Sequence, residues 1–239
     1  MPGYYFTDFD NVSEEQYRHW LSVVSEERAN IATTYRFRKD AMLSLAAYLL
    51  LEHALQCRGN TKDHPPVFYR NEQGKPYLSP QLAQGSGPFF SLSHTDGIAA
   101  CYLAEKETGI DVEPTIFSGG KLVPTICSPE EQLFFEQSGF SEDILTRLWV
   151  LKESCLKTIG AGLSIDPRSL DFSRYRDETT FSATLLSQEF SFHLCSLLPG
   201  TLAAVCQQGP PENIQWTQLA ASELHSPVTV PQKACWSNP

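Results

Sequence analysis

Nowhere in the 239 residues does an apolar run reach bilayer length. The longest, residues 41–51, is interrupted by Ser44, whereas a spanning helix needs about 20 apolar residues, so no membrane span is expected. Positive charge is scarce too: 18 Lys+Arg against 28 Asp+Glu leave a formal charge of −10. The chain as a whole therefore lacks the electrostatic footprint of a nucleic-acid binder or of a protein of acidic membranes. Any anionic ligand has to be held by local basic side chains. The seven cysteines (57, 101, 127, 155, 195, 206, 235) are scattered, with no CxxC spacing, which argues against a zinc ribbon or a disulfide framework. Four of them lie in apolar runs, where a free thiol packs as a small hydrophobe. The opening MPGYYFTDFD has neither a basic nor a long apolar region, so no signal peptide is expected and the expected location is the reducing cytoplasm.

What is present is an ordinary soluble composition, 41% hydrophobic and 19% charged. It suffices for one large core or two of about 120 residues each. A strand at Tyr4–Phe6 precedes Ser13-Glu14-Glu15-Gln16, a capping-box start, and Ser25 restarts a second helix in the same way. Residues 41–55 form an almost wholly apolar, hence buried, helix. Its entry, Tyr35 to Asp40, is a basic patch that reads equally well as a solvated helix end. Strands at 67–70 and 77–78 flank a turn, 84–88 is a loop, and 89–93 and 97–104 form a hairpin with His94 at its mouth. Ser128-Pro129-Glu130-Glu131 starts a helix. Segments 170–172, 180–186, 190–198 and 201–206 are strand-like, and the last thirty residues, rich in Pro, Ser and Gln, read as a loose tail.

Two stretches carry chemistry. In residues 148–164, LWVLKESCLKTIGAGLS, apolar residues recur at helical spacing and Gly160 stands where a left-handed cap ends the helix. Trp149, Glu153 and Lys157 share one face. An exposed Glu–Lys pair has the same spacing, and this stretch alone does not choose between the two. The second is Gly109-Ile110-Asp111-Val112-Glu113-Pro114, a short strand whose alternation sends Asp111 and Glu113 to one side. Carboxylates sharing a face repel unless a cation or proton lies between them. With Glu153 they make three hard oxygen donors without a companion Cys or His pattern, which suits Mg²⁺ or Mn²⁺. Mg²⁺ held by few carboxylates completes its shell with water and substrate phosphates, so a phosphate-bearing substrate is expected.

GIDVE, followed about forty residues later by WVLKESCLKTIGAGL, resembles the paired signature of the Sfp-type 4′-phosphopantetheinyl transferases. FSLSH (90–94) stands where that family carries a Ser-His motif, Gly74-Lys75-Pro76 also matches, and the likeness covers residues 25–206. The resemblance implies transfer of 4′-phosphopantetheine from coenzyme A to a serine of an apo acyl- or peptidyl-carrier protein, with release of 3′,5′-ADP. It implies Asp111, Glu113 and Glu153 as metal ligands, Glu153 and Lys157 as catalytic groups, and Lys39, Arg70, Lys75, Ser93, His94 and Lys157 as coenzyme contacts. Many relatives carry arginines in the apolar helix; this chain has none at 41–55, where Ser44 is the sole hydroxyl apart from Tyr48 and the expected stand-in. Replacing Lys75 with Ala is accordingly expected to raise the KM for coenzyme A.

The family is an α+β pseudo-dimer with its site between two similar halves. An internal echo agrees: FSLSHTDGIAACYL (90–103) and FHLCSLLPGTLAAVC (192–206) share strand, turn and small apolar strand, each after a long apolar helix. The expected division is 1–114, carrying the coenzyme contacts and the carboxylate strand, then 115–210, carrying the Glu/Lys helix, then 211–239 as an extension. The expected protein is a monomer that binds neither nucleic acid nor membrane. A Mg²⁺-dependent nucleotide phosphohydrolase would use the same carboxylates without a carrier, and a non-catalytic coenzyme- or carrier-binding module would keep the fold without the ligands.

Overall fold

The computed structural model describes residues 1–59, 66–79, 88–117 and 120–224. All but Pro88 of the loop expected at 84–88, and residues 225–239 of the expected tail, lie outside the described residues. The chain opens with strand β1 (Pro2–Phe6), helices α1 (Glu14–Val23), α2 (Glu26–Thr33) and α3 (Arg38–Cys57), a short hairpin β2 (Phe68–Arg70) and β3 (Pro76–Leu78), and a longer one, β4 (Phe89–Thr95) and β5 (Ile98–Ala104). Strand β6 (Thr108–Pro114) leads into α4 (Val123–Ile126), α5 (Pro129–Gln137) and α6 (Glu142–Ile159), then strands β7 (Thr180–Leu185), β8 (Gln188–Cys195), β9 (Thr201–Gln208) and β10 (Gln215–Gln218).

Local chemistry sets the helix boundaries. Ser13 accepts from the Gln16 amide at 3.1 Å and Gln16 reaches back to the Ser13 amide at 2.9 Å. Ser128 and Glu131 close the same box around Pro129, each box satisfying two amides that the first turn leaves unpaired. Gly160 ends α6 in the left-handed conformation, φ 71°. Every residue of α3 from 41 to 51 is buried, so this helix forms the floor of the first core with Phe6, Trp20 and Leu78. The second core gathers Leu148, Leu151 and Cys155 of α6 against Phe172, Phe190 and Phe192. No helix among the described residues is long and apolar enough to cross a membrane.

The two halves are alike. One sheet runs β10-β1-β5-β4, the other β6-β9-β8-β7. In each, a hairpin (β4–β5 or β8–β9) is extended by a strand antiparallel to its second member, β1 in the first sheet and β6 in the second. The expected α+β architecture of two similar halves is what the chain adopts.

Three expectations are corrected. Strand β6, expected to close the first half at 114, pairs with β9 from Thr108↔Gln207 to Pro114↔Thr201, so the second unit begins near residue 107. Its Ile110 and Val112, both fully buried, pack among residues of both sheets, which is why alternation alone could not say which half owned it. Residues 170–172 are not a strand; the Phe172 amide donates to the Glu131 carboxylate and the Leu170 carbonyl accepts from Lys152, so side chains replace a neighbouring strand. Finally, residues 211–224 are not a loose tail. Strand β10 pairs in parallel with β1, and Leu219 and Leu224 are buried in the first core.

Candidate active site

Strand β4 lies along β6 without a backbone ladder between them. The Ile110 amide donates to the Ser91 hydroxyl at 3.0 Å and the Val112 amide to that of Ser93 at 3.2 Å. Two serines spaced by the strand period thus stand in for carbonyls and join the halves. On the other side, β6 lies directly on α6: a Cβ at Gly109 would sit 2.1 Å from the Ser154 carbonyl oxygen and 2.6 Å from the Thr158 amide nitrogen. Only glycine permits that approach, and it brings Asp111 and Glu113 beside Glu153 and Lys157.

These four side chains, with Leu92, Ser93, His94 and Trp149, line one cleft of about 450 Å³. Asp111, 4% exposed, accepts through Oδ1 from Lys157 Nζ at 2.7 Å and from the Ser93 hydroxyl at 3.1 Å. Its Oδ2 is buried without a partner. Lys157 also donates to the Ile110 carbonyl at 3.0 Å. Glu113 accepts from the Trp149 indole and from Thr95. Burial, and then the Asp111 charge, push the carboxyls of Glu113 and Glu153 above their ordinary range, with Lys157 opposing both.

Three carboxylates faced by one ammonium, with one buried oxygen unpartnered, form a donor set suited to a divalent cation. Among the described residues no trio of Asp, Glu, His or Cys closes on a single ion as it stands; the Lys157 ammonium occupies the first oxygen of Asp111.

Of the remaining expected residues, Ser93 and His94 line this cleft and Lys39, Ser44, Arg70 and Lys75 do not. His94 stands on its rim, and partial burial, then the charges of Lys157 and Arg28, hold its imidazole below the usual range. Lys39 pairs with Asp96 in the turn after His94, and Arg70 donates to the Gly74 carbonyl at 2.9 Å. Three of these side chains already have protein partners. The Ser93 hydroxyl faces Asp111 and Val112 and lines the cleft. Ser44 is 4% exposed, its oxygen taken by Arg28 and by the Tyr35 hydroxyl. Lys75 has its ammonium pointed inward.

The sequence reading missed Arg28. Its guanidinium reaches from α2 to donate to the Ser44 carbonyl at 2.6 Å and lies over the Tyr48 ring, and its Nε is buried and unpartnered. It is close enough to Arg70 and His94 for their charges to act on one another. A guanidinium borrowed from the next helix thus stands against α3, which has none at 41–55. The signal available was an arginine one turn into a capped helix, indistinguishable from a surface residue.

A second cleft of about 340 Å³, mostly apolar, opens between the β2–β3 hairpin and the end of α6. It shares Leu92, Glu153 and Lys157 with the first, so the two meet at the carboxylates.

Comparison with known proteins accords with this geometry. Residues 11–106 match the family model described as 4′-phosphopantetheinyl transferase, N-terminal, and residues 107–206 that of the 4′-phosphopantetheinyl transferase superfamily. The chain belongs to the 4′-phosphopantetheinyl transferase superfamily. The junction of the two matches falls just before β6, where the second sheet begins. It is similar to 4′-phosphopantetheinyl transferase gsp of Aneurinibacillus migulanus, 25% identical over 206 residues, 85% of this chain and 84% of that one. It is similar also to 4′-phosphopantetheinyl transferase Sfp of Bacillus subtilis (strain 168), 24% identical over 218 residues, 89% of this chain and 95% of that one. The human L-aminoadipate-semialdehyde dehydrogenase-phosphopantetheinyl transferase is 29% identical over 170 residues, 64% of this chain but 54% of that protein.

Proposed function

We propose that this chain transfers the 4′-phosphopantetheine group of coenzyme A to a serine of an apo carrier protein, releasing 3′,5′-ADP. The observation that carries the proposal is the cluster of Asp111, Glu113, Glu153 and Lys157, with the unpartnered Asp111 oxygen, beside a corner of Arg28, Arg70 and His94. A phosphoryl transfer needs positioning and charge neutralisation more than covalent help, and these residues supply both. Asp111, Glu113 and Glu153 would hold Mg²⁺ or Mn²⁺. Such an ion, when bound, offsets negative charge on a pyrophosphate. Lys157 then meets a phosphate oxygen whose charge grows toward the transition state. Glu153 takes the serine proton, directly or through one water; a carboxylate shared with a cation is a weak base, which favours the water as the relay.

The cationic corner receives the nucleotide phosphates, Arg28 doing what arginines within residues 41–55 would otherwise do. Lys39 contributes from the rim and Ser93 through Asp111. The apolar cleft beside Glu153 suits the pantetheine arm. We place the protein in the reducing cytoplasm as a monomer that engages neither membrane nor nucleic acid, in keeping with its net charge of −10 and the six free cysteines among the described residues.

The test is the intact mass of an apo carrier incubated with this chain, coenzyme A and Mg²⁺. A gain of one phosphopantetheine, lost with EDTA or with Asp111→Ala, is expected. No gain on fatty-acid, polyketide and peptide carriers alike, while coenzyme still binds, sinks the proposal.

A further inference from the structure

Arg28 owes its place to α3, the helix that brings no arginine of its own at 41–55. Tyr48, 6% exposed, turns its ring to the guanidinium, whose carbon lies 5.5 Å from the ring centroid, within reach of a cation–π contact. One turn earlier on the same face, Ser44 accepts from Arg28 Nη2 with its carbonyl at 2.6 Å and also with its hydroxyl. The Tyr35 hydroxyl donates to that hydroxyl oxygen at 3.0 Å. The Tyr48 hydroxyl meets Ser25 and Glu52. Ser25 is the cap of α2, and its side-chain oxygen accepts from the Arg28 amide at 3.2 Å. One tyrosine thus holds the guanidinium of Arg28 through its ring, and through its hydroxyl the cap that binds the Arg28 amide.

An arginine that swings freely loses rotamer freedom when it grips a ligand; one already held in place loses less. Nη2 is engaged by Ser44, while Nε is buried without a partner, so donor capacity remains after the side chain has been fixed. We infer that Tyr48 is a positioning residue: it holds the Arg28 guanidinium ready for a phosphate of the coenzyme, and does so from a helix face that has no basic side chain of its own. The inference rests on the transferase reading above, which gives this corner the nucleotide phosphates.

The test measures coenzyme A affinity by calorimetry for the wild type, Arg28→Gln, Arg28→Lys, Tyr48→Leu, Tyr48→Phe and the double variant Tyr48→Leu/Arg28→Gln. Arg28→Gln is expected to weaken Kd by about tenfold or more, and Tyr48→Leu by most of that factor. The double variant should bind no worse than Arg28→Gln alone, because the two side chains act as one unit. Tyr48→Phe keeps the ring and should hold Kd within about threefold of the wild type. A tyrosine that merely filled the core would give losses that multiply in the double variant. That result, or a Tyr48→Leu Kd within about twofold of the wild type, overturns the inference. Should Tyr48→Leu fail to fold, Arg28→Lys decides, because an ammonium keeps the charge but offers no planar group to the ring. Affinity as weak as in Arg28→Gln then supports the assignment, and wild-type affinity refutes it. A wild type that binds coenzyme A yet modifies no carrier removes the transferase reading and leaves these comparisons decisive for Tyr48. An Arg28→Gln variant that binds and transfers as the wild type does overturns the inference alone.

Discussion

Helix α6 carries two lysines, each facing a carboxylate from another element, and the two pairs are built oppositely. Lys152 and Glu131 are both wholly buried, 2.7 Å apart. Lys152 also donates to the carbonyls of Pro167 and Leu170, and Glu131 accepts from the amides of Ser128 and Phe172. Every strong donor and acceptor there is matched. Lys157, with a third of its side chain open, meets Asp111 at the same 2.7 Å, yet Asp111 keeps one buried oxygen unmatched. The closed pair fastens α5 and the 167–172 segment to the helix. The open pair leaves unspent interaction for a ligand. Five residues apart, the same side-chain chemistry closes on itself in one place and stays open in the other, where the proposed reaction would use it.

Breaking the closed pair should have the largest effect. Lys152→Met strands the Glu131 carboxylate in the core and is expected to cost about 3–5 kcal/mol, read from chemical denaturation; a loss below about 1 kcal/mol would mean the pair is not what holds these segments. Breaking the open site should act on turnover. Glu153→Gln is expected to lower kcat by about 10²–10⁴-fold with coenzyme binding intact, and to raise the melting temperature in metal-free buffer at pH 7. The sign follows from linkage: the folded Glu153 carboxyl holds its proton to higher pH than the unfolded one, so its ionised form destabilises the fold above that range. The stabilising effect of glutamine should therefore vanish as pH falls toward the ordinary carboxylate value of about 4.3. A gap that widens on acidification would contradict it.

Gly109→Ala sharpens the contrast from the backbone side. The new methyl collides with α6 carbonyl and amide groups that cannot yield, at a cost of about 1–3 kcal/mol, and kcat should fall more than Lys152-linked stability would explain. The smallest effect is expected of Ser93→Ala, which removes one bond to the Val112 amide and one to Asp111. About 1 kcal/mol of stability should go, with Mn²⁺ affinity measured by the paramagnetic signal of the free ion shifting by a few-fold. An unchanged affinity would show that Asp111 is held by Lys157 alone.

Much of this was legible where cause and effect lie close along the chain. The caps at Ser13 and Ser128 and the stop at Gly160 act within four residues. The alternation of Ile110, Asp111, Val112 and Glu113 correctly turned the carboxylates together, because strand period needs no tertiary information. What could not be read was partner choice across distance. Lys75 meets Glu107 and Thr158, 32 and 83 positions away, and Arg28 meets Ser44 from a different helix. Leu170 and Phe172 alternate like a strand, but side chains took the hydrogen bonds a strand would have used. Strand β10 has one half-buried Trp among polar, exposed residues, so nothing local announces its place beside β1.

That place bears on how the protein can be shortened. The stretch shared with the family, residues 11–206, omits both β1 and β10, two of the four strands in the first sheet. A chain trimmed to those limits would lose Phe6, Leu219 and Leu224 from its core and present β5 as a bare hydrogen-bonding edge. Such edges recruit strands from other molecules, so the trimmed protein would precipitate through sheet addition while its carboxylates remained, on paper, complete.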